Sequence, residues 1–175
     1  MRKSCIPNVF TFINLSCGII SILSVMNEQY GIAGAFILLA GLVDRYDGRI
    51  ARFLNVSSEL GKELDSLADL VSFGVAPSIL VFIYFNLNTL HPRGLVGFVI
   101  LLLFPICGAY RLARFNTTNF DGAFTGVPIT IVGCFMALFS LIMLNLNMMP
   151  SPYLVVLLMI LGSYLMVSKI KLKKF

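Results

Sequence analysis

The chain has 175 residues, of which 58% are hydrophobic and 12% charged, and its formal net charge is +5. A soluble globular domain carries about a quarter of its residues as charges, so this composition excludes one and indicates an integral membrane protein. Nor does the positive balance indicate a nucleic-acid partner, because the cations flank apolar runs instead of alternating with aromatic residues in a polar groove.

A membrane-crossing helix needs roughly 20 mostly apolar residues. Turn and charge punctuation predicts six of them, over about 9–26, 31–54, 60–86, 95–115, 124–146 and 152–168. The expected fold is therefore an all-α membrane protein, a six-transmembrane-helix bundle forming one integral unit over residues 1–175. The first run is read as a retained helix, since no small-residue cleavage site follows it and further apolar runs do. Cys5, Cys17, Cys107 and Cys134 lack metal-ligand spacing and read as small buried hydrophobes.

Lysine and arginine mark the topology. Alternate connections take Arg2 and Lys3, then Arg45, Arg49, Arg52 and Lys62, then Arg111 and Arg114, then Lys169, Lys171, Lys173 and Lys174; the opposite side keeps Arg93. This asymmetry predicts a multi-pass protein of the cell membrane with both termini on the cytoplasmic face. His91, beside Pro92 in the outer loop, is assigned no chemistry.

The stretch VDRYDGRIARFLNVSSELGKELDSLADLV, residues 43–71, interrupts this pattern. Asp44 and Asp47 are three apart and Asp65 and Asp69 four apart, so on helices each pair shares a face. A chain reversal around residues 55–58 would make the two helices antiparallel neighbours and bring the four carboxylates to one depth. A charge at the centre of a membrane helix costs about 2.5–3.5 kcal/mol even on the gentlest scale, and clustered carboxylates repel one another. Divalent cations resolve both problems, and all-oxygen ligation suits two Mg²⁺ or Mn²⁺ ions, a device of phosphoryl chemistry. Gly48 and Gly61 leave room for a ligand at the backbone and Arg52 adds a cation, which together suit a diphosphate. On spacing alone, ion-paired helix ends and a carboxylate-dependent transporter remain open.

The run Asp44, Asp47-Gly48, Ala51-Arg52, Gly61, Asp65, Asp69 resembles the signature of the CDP-alcohol phosphotransferases at every fixed position, eight over 26 residues. The resemblance implies a six-helix bundle that displaces CMP from a CDP-linked lipid by the hydroxyl of a small alcohol. Asp44, Asp47 and Asp65 would hold the metals. Asp69 would be a further ligand and the general base. Gly48, Arg52 and Gly61 would contact the CDP portion, with Asn8 as a further nucleotide contact. A homodimer is the assembly the family implies.

Within that family, PNVFTFINLSCG, DSLADLVSFGVAPS, YRLARFN and FTGVPIT look like the branch that accepts L-serine. Asn14 stands where glycerophosphate-accepting relatives typically carry arginine, and Thr130 departs from the more usual proline. On this reading CDP-diacylglycerol and L-serine are the substrates, the site is cytoplasmic, and Arg111, Arg114 and Asn116 bind the serine carboxylate. Glycerol phosphate or inositol phosphate as acceptor is the alternative within the family.

Overall fold

The computed structural model describes residues 5–54, 59–90, 94–117, 124–168 and 171–172, with the backbone alone at 5–7, 47–54, 124–125 and 171–172. These residues form an all-α membrane bundle of six rods. Helices α1 (Cys5–Met26) and α2 (Tyr30–Leu54) are followed by a third rod made of α3 (Glu59–Asp69), a π-helical segment (Leu70–Val75) and α4 (Ala76–Tyr84). Then come α5 (Leu95–Thr117), α6 (Ile129–Asn145) and α7 (Pro152–Val167). Among the described residues, Asn8–Met26, Glu59–Tyr84 and Leu95–Thr117 are long and apolar enough to cross a membrane, and α6 and α7 are shorter apolar helices. The chain reversal expected around residues 55–58 lies outside the described residues, as do His91 and Arg93.

The outer surface is that of a protein dissolved in lipid. Phe12, Leu23, Leu42, Leu102, Ile106 and Phe135 are all exposed, while Ile37, Phe73, Leu80, Phe104, Met136 and Met159 are buried between the rods. Several serine hydroxyls inside the apolar helices are satisfied locally. Ser24, Ser140 and Ser163 each donate to the carbonyl four residues earlier, so these polar groups carry no functional implication.

Two of the connections are short because a residue in the left-handed region ends the helix before them. At the end of α1, Glu28 has φ 59°; its N–H donates to Val25 O at 3.0 Å and that of Gln29 to Ser24 O at 2.8 Å. After α6, Asn147 has φ 50°, and Asn147 and Met148 donate to Leu144 O and Met143 O. Both are Schellman closures, which satisfy the last carbonyls of a helix and turn the chain sharply. The sequence pattern starts the fifth helix near residue 124, but α6 begins at Ile129. Gly126 at φ 82° and the fixed φ of Pro128 break the run, and Phe124–Thr125 (β1) instead pairs antiparallel with Lys171–Leu172 (β2).

The third rod contains Gly74 and Pro77 near its middle. It widens by one π turn, with the Ala76 N–H donating to Val71 O, and neighbouring glycines hold the widened turn. A Cβ on Gly18 of α1 would stand 2.6 Å from Ser72 Oγ, and one on Gly133 of α6 would stand 2.5 Å from Phe73 O. Close backbone approach over small residues is how helices pack when lipid surrounds them. The segment so gripped begins one residue after Asp69.

Candidate active site

Asp44 on α2 and Asp65 and Asp69 on α3 converge, each offering a carboxylate oxygen within 4.8 Å of the others. Asp69 is buried and the other two are half-buried. Spacing explains Asp65 and Asp69, which lie one turn apart on one face; the packing of α3 and α2 around α1 brings in Asp44. Asp47, Gly48 and Arg52 lie on the α2 backbone, and their side chains are outside the described residues. Gly61 is half-buried on α3, and Asn8 half-buried near the start of α1.

Asn14 fixes the deepest carboxylate. Its Nδ2 donates to Asp69 Oδ1 at 3.0 Å, and its backbone carbonyl accepts from Ser72 Oγ at 2.9 Å. A hydrogen bond to a charged group contributes about 1.5–3 kcal/mol, enough to select one rotamer of Asp69. On the opposite side, Thr130 Oγ1 of α6 reaches Asp44 Oδ2 at 3.5 Å. These ties were not legible as contacts. Their trace in the sequence is a polar residue within a mostly apolar stretch, at Asn14, Ser72 and Thr130.

Arg111, Arg114 and Asn116 on α5 do different things. Arg111 is buried and close enough to Asp69 for their charges to interact. Arg114 reaches α7, donating to Val167 O at 3.1 Å and Ser168 O at 3.4 Å, and its guanidinium lies 5.9 Å from the centre of the Tyr110 ring. Cationic side chains suit helix C-terminal carbonyls. Asn116 Nδ2 donates to Ser66 Oγ at 3.0 Å and Glu63 Oε1 at 3.3 Å, bridging α5 to α3.

Beside the cluster, a groove of about 540 Å³ opens between α2 and α6, lined by Gly41, Leu42, Arg45, Thr130, Cys134 and Leu138 among others. Its walls are apolar, while Arg45 and Thr130 give it polar points near Asp44.

Three carboxylates gathered inside an apolar bundle repel one another unless a cation joins them. Their hard oxygen donors fit Mg²⁺ or Mn²⁺, so fold and site together define a membrane-embedded acidic centre suited to divalent cations. The chain matches the family described as CDP-alcohol phosphatidyltransferase over residues 4–168. It belongs to that family, whose members are membrane enzymes that use divalent metals. It is 37% identical over 175 residues to the CDP-diacylglycerol–serine O-phosphatidyltransferase of Bacillus subtilis, covering 97% of this chain and 90% of that one. The protein of the same name from Helicobacter pylori strain J99 is 40% identical over 126 residues, 70% of this chain. One from Methanocaldococcus jannaschii is 34% identical over 171 residues, 97% of this chain and 74% of its own length. The chain spans about half the length of several such relatives, 52% for the Helicobacter protein.

Proposed function

We propose that this protein transfers the phosphatidyl group of CDP-diacylglycerol to the hydroxyl of L-serine and releases CMP. The observation that carries the reading is the convergence of Asp44, Asp65 and Asp69, with Asn14 holding Asp69. The names of the relatives support serine as the acceptor, and so does a neutral residue at position 14.

Asp44, Asp65 and Asp69, with Asp47, would hold two Mg²⁺ or Mn²⁺ ions, which when bound neutralise the diphosphate and stabilise CMP as a leaving group. The chain's own groups do the rest. Gly48, Arg52, Gly61 and Asn8 bind the CDP portion. The groove between α2 and α6 takes an acyl chain, leaving the tails in the bilayer while the diphosphate reaches Asp44. Asp69 accepts the proton of the serine hydroxyl as its oxygen attacks the phosphorus that bears the lipid, and the bond to the CMP oxygen breaks. A base is required because a neutral alcohol is a weak nucleophile. Burial of Asp69 keeps bulk water from competing as the acceptor. Arg111 faces the serine carboxylate, and a guanidinium suits that partner in a bidentate geometry. Arg114 and Asn116, which bond α7 and α3 here, would join it by exchanging those bonds. The unit is a single catalytic domain over residues 1–175, multi-pass in the cell membrane, with site and termini cytoplasmic, and it works as a homodimer.

The test is CMP release by the purified protein in detergent with CDP-diacylglycerol and Mg²⁺ or Mn²⁺, comparing L-serine, glycerol 3-phosphate, inositol phosphate and no acceptor. Release that requires serine and yields a serine-containing lipid is expected. Release with a phosphorylated acceptor would move the acceptor assignment, and no release from folded protein with any of them would favour a transporter.

A further inference from the structure

Two buried polar atoms beside Asp69 have no hydrogen-bond partner, and they are of opposite kinds. Asn14 Oδ1 is an acceptor on a residue 1% exposed, and Arg111 Nε is a donor on a residue 8% exposed. The identity of the Asn14 atoms follows from chemistry, because only the amide nitrogen can donate to the Asp69 carboxylate. Its oxygen must therefore face elsewhere. An unsatisfied buried polar atom costs about 1–3 kcal/mol, so a pair of them, one on the residue that bonds Asp69 and one on a residue whose charge interacts with it, points to a ligand that completes the set.

We infer that Asn14 Oδ1 receives the ammonium of an α-amino acid acceptor while Arg111 Nε takes its carboxylate, so that the zwitterion is held at both ends with its hydroxyl at Asp69. This rests on the proposed serine transfer and adds its specificity determinant. The acceptor must bring a donor for the amide oxygen and an anion for the guanidinium. A free amino acid has both. Ethanolamine lacks the carboxylate, 3-hydroxypropionate lacks the ammonium, and an alcohol phosphate presents no donor charge to Asn14. Contacts to the hydroxyl, ammonium and carboxylate together also distinguish the two enantiomers of serine. A site whose buried groups are left unpaired by an analogue rejects it strongly.

The experiment measures kcat/KM for CMP release by the full chain with L-serine, serinamide and 3-hydroxypropionate, in wild type, Asn14→Ala, Asn14→Ser and Arg111→Gln. Wild type is expected to prefer serine over each analogue by at least about tenfold. Asn14→Ala is expected to collapse the preference over 3-hydroxypropionate and keep the preference over serinamide; Arg111→Gln is expected to do the reverse. Each ratio is internal to one variant, so a general loss of Asp69 positioning, which lowers every acceptor alike, does not imitate the result. Asn14→Ser serves if the alanine variant fails to fold. Wild type using 3-hydroxypropionate as well as serine would overturn the inference, as would Asn14 variants that change the metal dependence but not the ratios, which would make Oδ1 a metal ligand. If serine itself supports no release and another acceptor does, the proposed function fails first.

Discussion

Asp69 carries the most demanding combination of duties in the site, since it is buried, contributes to the carboxylate group and is the proposed base. Asp69→Asn keeps the shape and a polar atom for Asn14 while removing the basic oxygen. Turnover is expected to fall by at least about a hundredfold, in the range general bases contribute, with CDP-diacylglycerol binding largely retained in a direct binding titration. Joint loss of binding and turnover would make Asp69 chiefly a metal ligand. Ser72→Ala tests the layer behind it. Losing the bond to the Asn14 carbonyl should destabilise the fold by about 1 kcal/mol and reduce kcat by loosening Asn14, measured as a lower Tm in detergent and a slower rate at saturating serine. The carboxylates themselves were legible from spacing and motif. The partners of Asp69 were not, because Asn14 lies 55 residues away and no local pattern shows which face of α1 meets α3.

At the scale of helices, the π turn at Leu70–Val75 and its glycine contacts lie directly behind Asp69 in the chain. Gly133→Ala places a methyl against the Phe73 carbonyl, a backbone atom that cannot swing aside. Overpacking of this kind costs about 1–3 kcal/mol, so a Tm loss is expected together with reduced CMP release, and a variant with both unchanged would show that α6 shifts freely. Gly74 and Pro77 mark this stretch in the sequence, but not the form the helix takes there. A π turn and a kink leave the same apolar pattern, and only the Ala76 to Val71 bond distinguishes them. The late start of α6 has a similar cause: residues 122–128 are uncharged, so hydropathy runs through them, whereas Gly126 and Pro128 act through backbone geometry. Arg111 and Arg114 share a helix face by spacing, yet Arg114 is drawn to the end of α7, a long-range contact that spacing cannot reveal.

For the whole molecule, composition sufficed for the fold class, because a chain with so few charges has lipid as its only stable solvent. Orientation rests on the lysine and arginine count, and cysteine labelling tests it. In a background lacking the four native cysteines, Asn147→Cys is expected to react with an impermeant maleimide added to intact cells, and Thr117→Cys only after lysis. The opposite pattern would invert the protein and place the carboxylates on the outer face. The central claim is that these carboxylates work through divalent cations to join serine to a lipid phosphate. The most direct measurement is formation of serine-containing phospholipid from CDP-diacylglycerol by the purified protein, first chelated and then resupplied with Mg²⁺ or Mn²⁺. Product formation abolished by chelation and restored by either ion is predicted; product formation that continues unchanged in the chelator would contradict it.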